Sequence, residues 1–406
     1  MVAARCQECV PRLQGFAFPR GGRWYPLPTI PRVSIHDVCI RGTGPVGRSL
    51  ALALARQGLR VALQAPAAEA PPPAADVRTY ALNAGSVALL QALRVWDALP
   101  GDACTAVLDM RVLGDASSSR APAALHFSAY EQTVESLAWI VDAAELDAVL
   151  ASAVRFAPHI TVVDQAVPAP LTVVAEGKDA ASREALGVKL DTQAYGHSAV
   201  AARLRADLPH AGLARQWFRS PDILALLPFD RPNPGHSYGL VWSVPQERAQ
   251  SLMATEPAAF EAALAEATGG EAGVLSLCGP RAAWPLRLAR AQAVCGPGWA
   301  LVGDAAHVVH PLAGQGLNLG LADVQALADV ISEREPWRAL GDEKLLRRYA
   351  RRRHLPTLAM AGVTDALWAL FAHESPLVRE ARHRGLQLME RLGPLKKALT
   401  ARALNS

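Results

Sequence analysis

The 406-residue sequence predicts a mixed α/β fold: a parallel βαβ domain split by an inserted antiparallel β-sheet, with helices closing the C-terminus. Three observations predict it. A glycine-rich turn near the N-terminus lies between a short apolar strand and a stretch of helical period, a second strand, glycine turn and helix recur far downstream around Gly303, and the segment between them has the alternation of strands. A hydrophobic content of 51% against 19% charged residues is enough to bury substantial cores over this length.

The first 34 residues carry Arg5, Arg12, Arg20, Arg23 and Arg32 among scattered prolines, without helical or strand period. They are expected to be a disordered, dispensable leader, with the fold beginning near Ile35. From His36 the chain reads DVCIRGTGPVGRSLALALARQGLRVALQ, which is a strand, a glycine turn, a helix and a second strand ending at Gln64. Pro66 to Pro73 is a loop, Asp76 to Leu99 resumes helical spacing, and Ala143 to Val154 is an amphipathic helix. Between Tyr195 and Val244 the segments HSAVAARLRA, DILALLPF and SYGLVWSV read as strands, and Pro257 to Thr268 as a helix closing the insert. ALVGDAA is then a buried strand, GLNLGLADVQALADVI a helix, and helices continue to the end, broken at Pro356, Pro376 and Pro394. The organisation expected is residues 35–190 and 285–345 as two parts of one domain, 191–284 as the inserted substrate domain, and 346–406 as C-terminal helices.

Composition narrows the function classes. A net charge of +4 implies no nucleic-acid surface, and six scattered cysteines suit a reducing compartment. Cys6 and Cys9 form a lone C-x-x-C without the second pair a zinc site needs. No window offers the run of roughly 18 uncharged apolar residues that a membrane span requires. A cytoplasmic location is the expectation. From Glu343 to Ser406 there are 13 Lys or Arg against 5 acidic residues, so that the run Arg347, Arg348, Arg351, Arg352 and Arg353 offers either peripheral contact with an anionic inner membrane or an acidic partner, or a plain solvated face.

The chemistry lies in two motifs. Gly42, Gly44 and Gly47 form G-x-G-x-x-G directly after a strand and before a helix. The first glycine permits the tight turn, the second lets backbone approach a pyrophosphate, and the third lets helix and strand pack closely. The second strand of such a unit ordinarily ends in an acid that binds a ribose, and here Gln64 stands there. The second motif, ALVGDAAHVVHPLAGQGLNLGLAD, places Gly303 and Asp304 at a strand end, and Gly314, Gln315 and Gly316 at the start of a helix whose positive end suits an anionic ring.

With GDAAH and HPLAGQGLNLG following the glycine turn, and with DVRTYALNAGSVALLQALRVW, ESLAWIVDAAELDAVL and WPLRLARA between them, the chain resembles the FAD-dependent aromatic hydroxylases, and within them the ubiquinone-biosynthesis hydroxylases. The resemblance runs from about Asp37 to the C-terminus. It implies a split Rossmann-like FAD-binding domain with an inserted antiparallel substrate domain. It implies that Gly42, Gly44, Val46 and Gly47 hold the FAD pyrophosphate, with Gln64 at the ribose end, Gly303 and Asp304 at the ribityl chain, Pro311 through Asn318, including Leu317, at the ring system, and Arg78 beside the cofactor. NAD(P)H or a protein donor would supply electrons, and a flavin hydroperoxide rather than a protein nucleophile would deliver oxygen to a prenylated phenol or quinone precursor. Glu176-Gly177 and Ser182-Arg183 stand where such hydroxylases carry Asp-Gly, Ser and Arg, and the short interval from Val163 to Val174 leaves little room for the sheet that normally precedes them. Trp217, Phe218, Leu226, Leu227, Phe229, Tyr238 and Trp242 are candidates to wall the substrate pocket, whereas His307 and His310 with Asp304 make an incomplete metal set. The alternatives are a flavin oxidoreductase that inserts no oxygen, and a non-catalytic, weakly FAD-binding partner in a biosynthetic complex.

Overall fold

The computed structural model describes residues 35–65, 76–114, 124–308 and 315–372. The leader, Pro311, Gly314, Pro376 and Pro394 lie outside them.

Strand β1 (Val38–Arg41), helix α1 (Pro45–Arg56) and strand β2 (Val61–Gln64) form the expected βαβ unit, with β1 and β2 parallel and Arg41 opposite Gln64. Pro45 starts α1 because its missing N–H would have had no partner at that position. Leu50 and Leu54, one turn apart, are fully buried, and truncating either to alanine would cost about 2–5 kcal/mol. The stretch after Asp76, expected as helix, first makes strand β3 (Thr79–Leu82) and only then helix α2 (Ala84–Ala92). The break falls at Asn83, whose side chain accepts from the Ser86 amide at 2.8 Å and so caps α2.

Strands β4 (Cys104–Val107), β5 (Asp109–Leu113) and β6 (Ala124–Ser128), the single turn α3 (Ala129–Gln132) and strand β7 (Ala138–Asp142) lead into α4 (Ala143–Phe156). Asp142 caps α4 by accepting from the amides of Ala144 and Glu145. Strands β8 (Ile160–Val163) and β9 (Leu171–Val174) follow with no strand in residues 164–170, so the short interval holds no extra sheet. After the short helix α5 (Ala181–Ala185) come the long strand β10 (Leu190–Ala206), β11 (Leu213–Arg219), β12 (Asp222–Phe229) and β13 (Ser237–Pro245). Helices α6 (Gln246–Ala254) and α7 (Pro257–Thr268) precede the second long strand, β14 (Leu275–Ala291). Strands β15 (Cys295–Gly296), β16 (Trp299–Leu301) and β17 (His307–Val308) then lead to α8 (Gln315–Ser332) and α9 (Glu343–Ala372).

Two sheets dominate. The largely parallel sheet, in order β15-β16-β9-β1-β2-β8, brings the downstream strand β16 beside β9, which pairs on its other side with β1. The second, in order β17-β14-β10-β13-β12-β11-β5-β6, takes β5 and β6 from upstream of residue 191 and β17 from downstream of the insert. Its face toward α6 and α7 buries Trp217, Tyr238, Trp242, Phe260 and Leu264. Helix α9, expected to break at Pro356, runs through it without ending. A proline inside a helix forfeits one ladder hydrogen bond, at about 3 kcal/mol, and the residues on both sides of it stay helical nonetheless.

Candidate active site

The glycine turn sits where β1, β9 and α1 meet. Gly42 has φ +113°, and a Cβ there would lie 2.4 Å from the Ala175 carbonyl oxygen. A Cβ on Gly47 would lie 2.1 Å from the Gly42 carbonyl oxygen, so the close approach of helix and turn requires glycine at both positions. Gly44 differs: a Cβ there meets nothing within 4 Å. It opens onto space in front of α1, whose N-cap makes no side-chain hydrogen bond and whose first turn carries no acid. Unfilled amides at a helix N-terminus are an anion site.

Three strand ends converge beside this turn. Arg41 Nε donates to Gln64 Oε1 at 2.9 Å and lies 3.4 Å from Glu176 Oε1, and Glu176 in turn accepts from the Ser182 amide at 2.9 Å and from the Ser182 hydroxyl. The two departures seen in the sequence, Gln64 and Glu176, are thus joined through Arg41, and Glu176 spends its oxygens fixing the loop to α5. Arg78 forms a two-pronged ion pair with Asp76, at 2.9 and 2.6 Å, and also lines the cavity. Burial works against the Asp76 charge, yet the bonds from Arg78 hold its carboxyl below the usual range.

Across the space, Asp304 follows β16 and presents its carboxylate to the cavity. Though accessible from within, it is enclosed by enough protein that burial pushes its pKa up, against the opposing pull of His307, Lys178 and Arg287. Asn318, expected at the ring system, lines the cavity but commits its side chain elsewhere. Its Nδ2 donates to the Ala81 carbonyl at 2.8 Å, and its Oδ1 accepts from the Asn83 amide at 3.1 Å and the Ser86 hydroxyl at 2.7 Å, stitching α8 to α2.

One cavity of about 1350 Å³ unites these groups. Gly42, Gly44, Val46, Gln64, Arg78, Asp304, Gly316, Leu317 and Asn318 line it, together with Arg41, Thr43, Tyr80 and Lys178, which the sequence did not single out. Gly47 and Gly303 support it from behind, and Gln315 opens α8. Its far end is an apolar chamber under the antiparallel sheet, walled by Val107, Met110, Phe127, Leu137, Ile140, Ala201, Ala225, Leu227, Val241 and Trp284.

The expected aromatic wall is corrected here. Of the seven side chains proposed, only Leu227 lines the chamber. Trp217 pairs with Leu224, and Leu224 with Trp242, on the sheet face that packs against α6 and α7, while their neighbours Gln216, Ala225 and Val241 point the other way into the chamber. Alternate residues of a strand face opposite sides, and both faces of this sheet are apolar, so hydrophobicity alone does not tell the two apart.

A family model described as an FAD binding domain matches residues 36–362. The chain belongs to this FAD-binding flavoprotein family. It is 31% identical to the ubiquinone hydroxylase UbiL of Rhodospirillum rubrum over 400 residues, covering 92% of this chain and 90% of that protein. It is likewise 31% identical over 396 residues to the 3-demethoxyubiquinol 3-hydroxylase of Escherichia coli, covering 91% of this chain and 98% of the relative. In fold it is similar to the crystal structure of the p-nitrophenol 4-monooxygenase PnpA of Pseudomonas putida, with TM-score 0.71 and 16% identity over 92% of this chain and 98% of that one. The flavoprotein is an FAD-dependent monooxygenase. The cavity fits the cofactor: Gly44 is open where a phosphate must approach, the α1 amides stand behind it, and the volume exceeds the roughly 300–1,000 Å³ of ordinary ligand pockets.

Proposed function

We propose that this flavoprotein binds FAD along the polar half of the cavity and hydroxylates the ring of a phenol or quinone precursor with an apolar tail, as a step of ubiquinone biosynthesis. Gly42, Gly44 and Val46 with the α1 amides would hold the pyrophosphate, Gln64 and Arg41 the adenosine end, Asp304 the ribityl chain, and Gly316 to Asn318 the ring edge. Bound FAD supplies the redox and oxygen-transfer chemistry, with NAD(P)H as the reductant typical of the family. The chain's own residues bind, orient and keep water out.

The observation that carries the substrate reading is the continuity of one cavity from the glycine turn into the apolar chamber. Ala199, Ala201 and Ala225 leave room under the sheet that larger side chains would fill, and the surrounding apolar wall favours a hydrocarbon tail over a charged one. The names of the ubiquinone hydroxylases among its relatives support the same substrate class.

Among the described residues no helix is long and apolar enough to cross a membrane. The arginine run of α9 is largely consumed within the fold: Arg347 pairs with Glu343, Arg348 with Glu335, Arg352 with Glu333 and Arg353 with Asp323. That pairing favours a solvated, self-neutralised face over a lipid-binding one. The test of function is substrate-stimulated NAD(P)H oxidation by the FAD-loaded protein. Prenylated phenols should stimulate it and their untailed analogues much less; equal response to both would remove the role given to the apolar chamber.

A further inference from the structure

Behind the Gly303-Asp304 segment, away from the cavity, lies a connected group of buried side chains that no cavity role uses. Asp323, on α8, is wholly buried. Its Oδ2 accepts from the Gly303 amide at 2.9 Å and from His307 Nε2 at 2.7 Å, and its Oδ1 accepts from Arg353 Nε at 2.6 Å. Arg353, on α9, also donates through Nη2 to the Leu319 carbonyl at 3.2 Å. One turn earlier on α9, the buried Tyr349 hydroxyl donates to the Leu301 carbonyl at 2.7 Å. Helix α9 therefore grips the end of β16 twice, directly at Leu301 and through Asp323 at Gly303. The next residue, Asp304, faces the cavity.

An isolated buried carboxylate costs several kcal/mol, and here a guanidinium, an imidazole and an amide offset that cost only while all three stay in register. Gly303 is held in the left-handed region at φ +61°, against Val46 of α1, so its amide direction has little slack. Removing Arg353 would leave Asp323 buried with two of its three partners, and the Gly303 amide would have to shift with it.

We propose that Arg353 and Asp323 are positioning residues for FAD: acting through the Gly303 amide they fix where Asp304 stands, so that cofactor affinity depends on side chains that do not themselves line the cofactor cavity. The inference rests on Asp304 facing bound FAD.

The experiment titrates FAD into deflavinated full-length protein by quenching of flavin fluorescence, alongside thermal unfolding of the apo form. Arg353→Met should raise the FAD Kd about tenfold, with Arg353→Lys recovering part of the loss. Arg348→Met removes the same charge from the same helix at its Glu335 pair and should leave Kd unchanged. Tyr349→Phe deletes only one oxygen from the second grip and should raise Kd by a smaller factor, which keeps the test open if Arg353→Met does not fold. A wild-type Kd in both Arg353→Met and Tyr349→Phe, with only the apo melting point lowered, would reduce the cluster to a purely structural one and overturn the proposal. So would an equal rise in Arg348→Met. Asp304→Asn is the reference: unchanged affinity there would refute the placement of Asp304 beside FAD, and this inference with it.

Discussion

Gly44→Ala separates the work of the glycine turn on the fold from its work on the cofactor. A methyl on Gly44 meets no atom within 4 Å, and the residue sits at φ −66°, ψ 174°, which any L-residue adopts. The apo protein should therefore be as stable as wild type or more so, by about 0.4–1 kcal/mol, because alanine restricts the unfolded chain. The same methyl occupies the space in front of the α1 amides. Crowding of this kind costs about 1–3 kcal/mol, which is roughly a 5- to 150-fold loss of FAD affinity. Gly47→Ala is the opposite case, with its Cβ 2.1 Å from the Gly42 carbonyl oxygen, and should destabilise the apo fold itself. Thermal unfolding of the apo forms and fluorescence titration of FAD read the two effects separately. If Gly44→Ala bound FAD like wild type, the pyrophosphate would not approach at this turn and the cofactor assignment would fail.

Three further outcomes follow from the same geometry. Burial raises the Asp304 pKa, so the group opposes folding at neutral pH in the apo protein; Asp304→Asn should raise the apo melting temperature, and a lower one would contradict the electrostatic reading. Burial alone would depress the His307 pKa, but the adjacent Asp323 charge more than offsets it and leaves it raised. Its contribution to stability is then complete below the ordinary histidine value of about 6.5 and is lost as pH rises through the raised value, so denaturant midpoints should fall with alkaline pH more in wild type than in His307→Gln; parallel profiles would sink this assignment. Ala225→Leu should raise KM for a tailed substrate with FAD affinity unchanged, while Trp242→Phe, on the far face of the sheet, should lower stability and leave KM alone; the reverse pattern would show that the faces are assigned wrongly.

The βαβ unit and its glycine turn were legible because they depend on local chemistry: a glycine with positive φ, a proline at the first helical position, and a strand that reads as a continuous apolar run. The Pro257 helix was equally plain, with proline opening it and Gly269 at φ +64° following its last residue. What escaped was set by long-range pairing. The strand Thr79–Leu82 read as part of a helix because its antiparallel partner β7 lies some sixty residues further along the chain. Arg41 looked like an ordinary strand-end residue until the parallel register brought Gln64 and Glu176 beside it, and only then did two apparent departures become one network. The aromatics of β11 and β13 illustrate the ambiguity of a sheet apolar on both faces, where period two says which residues share a side but not which side meets the substrate.

The most direct test of the central claim is turnover of a prenylated phenol by the FAD-loaded protein under labelled dioxygen, followed by mass spectrometry of the product. Insertion of one labelled oxygen atom on the ring, lost in Gly44→Ala and restored by excess FAD, is the result expected of a monooxygenase whose flavin lies at this turn and whose substrate enters the apolar chamber. Reduced-cofactor oxidation that releases only hydrogen peroxide, with no label in any tailed phenol offered, would contradict it and favour a flavin oxidoreductase that inserts no oxygen.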